Sequence, residues 1–163
     1  MAQSPPVVLS IAGFDPSSGA GVTADVKTIA AHGCYGVSCI TALTVQSTAG
    51  VRRVEAISAD LVSETLEELS SDIAIAAVHI GMLGSGKVAR VVSDFLAKAG
   101  LPNIVLDPIM KSSSGADLIV DINGVNQSFL VQASDGSNRI VPSQYWVGAA
   151  NSGDKLLVTY WVG

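Results

Sequence analysis

The chain has 163 residues, 48% of them hydrophobic and 14% charged, with a net charge of −5. A mean hydropathy of +0.47 excludes a disordered polar segment, and an acidic chain with a pI near 4.7 and no basic cluster is not expected to bind nucleic acid. No apolar run approaches the roughly 18 residues of a membrane span, and the opening MAQSPPVVLSIAG has neither a basic start nor a cleavage site, so neither a membrane segment nor a signal peptide is expected.

The first element is VVLSIAG, residues 7–13: a continuous, β-branched apolar run ended by Asp15-Pro16, which reads as a buried strand. A small-residue loop follows, with Gly13, Gly19 and Gly21. It carries many backbone amides and little bulk. Placed before a helix N-terminus, it either accepts an anion, lets a flat ring approach the backbone, or is a plain turn. It is not a GxxxxGK[ST] loop. Asp15 reads either as an acceptor for a ligand or as the cap of a turn.

Residues 21–33 read as a helix, with Val22, Val26 and Ile29 at helical spacing and Gly33 as its stop. On its own, Asp25, one turn in, reads as a solvated or capping carboxylate. His32 at the helix end serves the dipole. Residues 36–46 form a second β-branched strand. Gln46 at its end, beside Ser47 and Thr48, is either a loop polar residue or an amide that both donates to and accepts from a heteroaromatic ring. Cys34 and Cys39 are expected in the core, on opposite faces and unbridged. With no CxxC or His/Cys cluster for zinc, a reduced, cytoplasmic setting is expected.

Residues 59–72 are an amphipathic helix with Leu61, Val62, Leu66 and Leu69 in one stripe. Residues 76–83 are a third core strand. In it His79 reads as a satisfied core histidine, and Met82 as a core methionine or a soft wall for a flat ligand. Residues 85–100 are a third helix, with Val88, Val91, Val92, Phe95 and Leu96 inward and Gly100 as its cap. Residues 103–110 are a fourth strand. Its Asp107, before Pro108, either holds a metal or phosphate-bound cation or caps a turn. Lys111 and the SSSG run at 112–115 either contact phosphate or form a flexible loop.

Strands alternating with helices predict an α/β fold: a parallel sheet covered on both faces, a three-layer α/β/α arrangement. Ligands bind such sheets outside the carboxyl ends of the strands, where all the unusual loops fall. After about residue 118 the helical period is lost. Short β-type runs separated by SDGSN and ANSGD predict an antiparallel meander. YWVG occurs at 145–148 and again at 160–163, and the two tryptophans are expected to cover a sheet edge, a sheet face or a partner chain. The expected division is an α/β unit over 1–118 and a β-rich tail over 119–163.

Three stretches, SIAGFDPSSGAGVTADVKTIAAHGCYGVSCITALTVQSTAGV, HIGMLGS and VLDPIMKSSSGADLI, together resemble the hydroxymethylpyrimidine/phosphomethylpyrimidine kinases of thiamin biosynthesis, in the ribokinase-like superfamily. The resemblance runs from about residue 7 to about 118. It implies that Gly13, Asp15, Gly19 and Gly21 belong to a substrate loop. It also implies that Asp25, matching the Asp of the family's ADLKT-type block, is a substrate-binding residue, that Gln46 contacts the aminopyrimidine, that Met82 packs on its ring, and that Asp107, with Lys111 nearby, serves nucleotide phosphates and Mg²⁺. The implied cofactors are Mg²⁺ and ATP. The family's glycine-rich anion hole has no counterpart: no GxGC or GxGD follows residue 118. The chain is therefore expected to be a truncated or chimeric derivative that keeps part of a pyrimidine pocket and lacks kinase activity, with either Mg²⁺ and ATP, on the resemblance alone, or no cofactor. An active kinase is the alternative, and an interaction module built on the Trp/Tyr-rich tail is a third. A homodimer through the tail or a sheet edge is the expected assembly.

Overall fold

The computed structural model describes residues 4–107, 129–134 and 137–142. Five strands form one sheet in the order β3-β2-β1-β4-β5. In chain order the elements are β1 (Val7–Phe14), α1 (Gly21–Ala31), β2 (Tyr35–Ser47), β3 (Gly50–Ala56), α2 (Ala59–Asp72), β4 (Ile75–Ile80), α3 (Gly86–Ala99) and β5 (Ile104–Leu106). β1 pairs in parallel with β2 and with β4, and β4 with β5. The α/β class expected from the alternation is what the structure has.

The sheet is not purely parallel, however. β3, which the sequence reading passed over, pairs antiparallel with β2. Its sequence GVRRVEA lacks a clean period of two because Arg52 is an extra residue: Val45 faces Arg53 while Gln46 faces Val51. This bulge turns Val51 and Val54 to one side although they are three apart. Boundaries also move. The third core strand ends at Ile80 rather than 83, and the fourth is only Ile104–Leu106 within the described residues.

Alternation along β1 builds the layers. Leu9 and Ile11 are fully buried among Val62 and Leu66 of α2 and Val88 and Val92 of α3. Ser10, pointing the other way, hydrogen-bonds to Asp25 of α1. Helix α1 thus covers one face and α2 with α3 the other. Serine caps start both of the latter: Ser58 Oγ accepts from Leu61 N and Ser85 Oγ from Val88 N, as such caps do.

The chain runs from β1 through α1 to β2 on one side of β1, then through β3 and α2 to β4 on the other. The sheet therefore reverses direction at β1, and the crevice beside its carboxyl end is where such folds bind ligands. A separate two-stranded antiparallel sheet, β6 (Phe129–Ser134) with β7 (Ser137–Pro142), lies in the region expected to be a meander. Trp146, Trp161, both YWVG strings and the boundary near 118 lie outside the described residues.

Candidate functional site

A cavity of about 420 Å³ opens at the carboxyl ends of β1, β2, β4 and β5. It brings together Gly13, Asp15, Gly19, Gly21, Asp25, Gln46, Met82 and Asp107, residues scattered over 95 positions of sequence. Lys111, the remaining candidate, lies outside the described residues.

The glycine loop is built around an internal anion. Asp15 is 3% exposed. Its Oδ1 accepts from Ser17 N at 2.8 Å and Ser17 Oγ at 2.7 Å, and its Oδ2 from Gly19 N at 3.1 Å and Ala20 N at 2.9 Å. Burial pushes its pKa up, but the Ser17 hydroxyl and the Ser17, Ala20 and Gly19 amides outweigh it and hold the carboxyl below its ordinary value. Of the alternatives open for this loop, three of its amides answer to an anion of the chain itself. The amides of Ser17, Gly19 and Ala20 already serve Asp15, and Asp15 is the loop's organiser rather than a free acceptor. Thr23 Oγ1 donates to the Asp15 carbonyl and Lys27 Nζ to the Ser18 carbonyl, tying the loop onto α1.

Two glycines let backbone approach closely. Gly21 has φ +60, and a Cβ there would collide with the Gly13 carbonyl oxygen. At Gly13 a Cβ would meet the Met82 Cε. Met82 is 7% exposed and packs with Ala42, Val51 and Val54, so it is at once a core methionine and a cavity wall. The buried Thr41 hydroxyl donates to the Met82 carbonyl, binding β2 to the loop after β4.

Gln46 lines the same cavity. Its Oε1 lies 3.2 Å from Thr44 Oγ1, whose hydroxyl is also 2.8 Å from the Phe14 carbonyl. One hydroxyl proton serves both acceptors, so the Gln46 amide keeps hydrogen-bonding capacity toward the cavity.

Asp25 is not the solvated or capping carboxylate expected of a helix's first turns. Its side chain is 19% exposed. Oδ2 accepts from Ser10 Oγ at 2.6 Å and lies 3.2 Å from His79 Nδ1. Burial pushes the carboxyl up, but His79 and Ser10 together pull it below its ordinary value. His79 is not a satisfied core histidine either. Its Nδ1 is enclosed, and the Asp25 contact is an ion pair off the hydrogen-bonding line, with no better partner among the described residues. Asp25 raises the His79 pKa, burial opposes this, and the Asp25 and Asp107 charges add to the rise. Reasoning by sequence missed this pair, and also Val51, Thr44 and Phe14 of the cavity wall.

Asp107 is exposed at the end of β5, its N–H donating to the Ile80 carbonyl at 2.7 Å. Among the described residues no three His, Cys, Asp or Glu side chains gather as a metal cluster. A single carboxylate at a cavity mouth fits a Mg²⁺ that arrives with phosphates, which typically contributes most of its own ligands, and does not fit a metal caged by protein. No helix among the described residues is long and apolar enough to cross a membrane.

Residues 15–134 match the phosphomethylpyrimidine kinase family. The hydroxymethylpyrimidine/phosphomethylpyrimidine kinase of Aquifex aeolicus is 46% identical over 113 residues, covering 69% of this chain and 44% of that protein. The Escherichia coli enzyme of the same name is 44% identical over 111 residues, covering 68% and 42%. Among solved structures, a phosphomethylpyrimidine kinase from Clostridium difficile 630 superposes with a TM-score of 0.66 at 41% identity, covering 71% of this chain and 50% of that one. The chain thus spans less than half the length of the two curated kinases.

Proposed function

This chain belongs to the phosphomethylpyrimidine kinase family, and from that premise we propose that it binds a hydroxymethylpyrimidine, or its phosphate, in the cavity at the carboxyl ends of β1, β2, β4 and β5. The observation that carries this reading is the convergence on one 420 Å³ space of bare backbone at Gly13, an apolar wall at Met82 and Val51, and the polar residues Gln46 and Asp25. A flat heteroaromatic ring needs that combination: close backbone approach on one side, a polarizable wall on another, and a few convergent polar groups. Gln46 offers both donor and acceptor capacity to the ring's mixed edge, and Asp25 offers an acceptor to an amine or hydroxyl.

The chemistry implied by the family is phosphoryl transfer to the pyrimidine's hydroxymethyl group or to its phosphate. Mg²⁺-ATP, when bound, supplies the phosphoryl group, and Asp107 is the residue of this chain that would hold the metal. Such transfer depends almost wholly on positioning and charge stabilisation. The residues described here position the acceptor. Residues 119–163 carry no GxGC or GxGD anion-hole sequence, so these 163 residues by themselves hold the acceptor without the charge stabilisation that turnover needs. Two chains pairing through a sheet edge is part of the same reading, since β3 is an outer strand of the five-stranded sheet. So is a reduced cytoplasmic setting, with which the unpaired Cys34 and Cys39 accord.

Calorimetric titration with hydroxymethylpyrimidine and a coupled ADP-release assay test the two parts separately. Saturable heat without turnover is the expected pair of results. Turnover above blank overturns the second part, and no heat at any concentration overturns the first. Sedimentation velocity tests the dimer.

A further inference from the structure

Asp25 stands out among the cavity's groups because both of its contacts fall on one oxygen. Ser10 and His79 occupy directly opposed positions on neighbouring parallel strands, β1 and β4. Both reach the same face of the sheet, and both meet Asp25 Oδ2, at 2.6 and 3.2 Å. The other oxygen, Oδ1, takes no hydrogen bond among the described residues and is not an enclosed unpaired atom, while the residue itself lines the cavity. His79 Nδ1, by contrast, is enclosed and has no partner but this carboxylate among the described residues. A histidine nitrogen enclosed at one end and facing only Asp25 has no evident task except holding that carboxylate. Among the described residues that line the cavity, the other charged groups are Asp107 after β5 and the already saturated Asp15 of the loop after β1.

We propose that Ser10 and His79 are positioning residues that act through Asp25: by occupying Oδ2 from two adjacent strands, they hold Oδ1 toward the cavity as the acceptor for a donor group of the ligand. The strands matter because they are rigid. A carboxylate on α1 alone has several rotamers, and a ligand must select one of them at an entropic cost. Anchored from β1 and β4, the acceptor is in place before the ligand arrives. When protonated, the form that Asp25 favours, the imidazole also sets a positive charge behind the carboxylate. Closing a flat ring over the site removes water from Asp25, and a carboxylate with a cationic partner tolerates that desolvation better than an isolated one.

The proposal rests on the pyrimidine-pocket reading for its ligand but not for its geometry, so two measurements separate the two. The first is a double-mutant cycle read by calorimetry with hydroxymethylpyrimidine. Ser10→Ala and His79→Gln each weaken binding by about three- to tenfold, Ser10→Thr restores it, and neither Ser10→Ala nor His79→Gln weakens it further in an Asp25→Asn background. Independent, additive losses would overturn the proposal, as would singles that bind like the wild type. The second uses the ligand-free chain. In a carbon-13 NMR titration, the Asp25 carboxyl moves up toward the ordinary carboxylate range in Ser10→Ala and in His79→Gln. An unmoved titration shows that the two do not govern Asp25 and overturns the proposal. A wild type that binds no pyrimidine sinks the pocket reading instead, and the carboxyl titration then decides the placement of Asp25 by itself.

Discussion

Asp15→Asn replaces a buried carboxylate with an amide of the same shape, and the loop geometry says what that does. The asparagine carbonyl can still accept from Ser17 N and Oγ, now at 2.8 and 2.7 Å from Oδ1. Its NH₂ then stands where Oδ2 accepted from Gly19 N and Ala20 N, at 3.1 and 2.9 Å. Two donors face a donor, and two charge-assisted bonds are lost. Each such bond contributes about 1.5–3 kcal/mol. Gly19 and Ala20 are exposed, so water recovers part of the loss, and a net destabilisation of about 2–3 kcal/mol is expected at neutral pH. For a chain of this size that corresponds to a Tm lowered by roughly 5–10 °C. The sign with pH follows from the lowered pKa of Asp15. The stabilisation is present above the ordinary value of 3.8 and is lost as pH falls through the lower folded value. Urea denaturation of wild type and variant at pH 7 and at successively lower pH reads both effects. The gap between the two curves should close on acidification. A variant within 0.5 kcal/mol of wild type at pH 7, or a gap that widens in acid, would refute the picture of a loop folded around its own carboxylate.

Gly13→Ala pushes against the flexible end of Met82, so its stability should change by only about 1 kcal/mol, while displacement of Met82 into the cavity weakens pyrimidine binding at least about tenfold; calorimetry beside a thermal melt separates the two. Gly21→Ala meets backbone instead, at a left-handed φ, and should destabilise the chain by about 2 kcal/mol or more, read as a drop in the urea midpoint. For the His79–Asp25 pair, the histidine contribution is full below its ordinary 6.5 and is lost as pH rises through its raised folded value. The aspartate contribution is present above its ordinary 3.8 and lost as pH falls through its lowered one. Stability from the pair is therefore greatest between these limits, and His79→Gln should flatten the alkaline decline of the Tm. Burial pushes the Cys39 thiol up to about 11, so iodoacetamide at pH 8 should label Cys39 only after denaturant is added, as peptide mass spectrometry would show.

The layered fold was legible because its core elements speak in long, unambiguous periods. Val88, Val92 and Leu96 of α3 are buried as their spacing demands, and Gly100 follows the helix as its cap. β3 was illegible because three of its seven residues are charged and its bulge at Arg52 breaks the alternation an edge strand would otherwise show. The site was legible as a set of loops but not as chemistry. Glycine spacing marked the loop after β1, yet only coordinates show that its amides already hold Asp15. Asp25 and His79 are 54 positions apart, and nothing in either local segment says that β1 and β4 become neighbours and set Ser10 opposite His79. A carboxylate on a helix and a histidine in an apolar strand each look ordinary alone; the sheet order makes them a pair.

Amide chemical-shift mapping of the isotope-labelled chain, titrated with hydroxymethylpyrimidine, probes the cavity most directly. The account predicts saturable shifts concentrated at Gly13, Gln46, Val51, Gly81 and Met82, with α3 unmoved. A spectrum that does not change, or shifts gathered on α3 away from those residues, would contradict it.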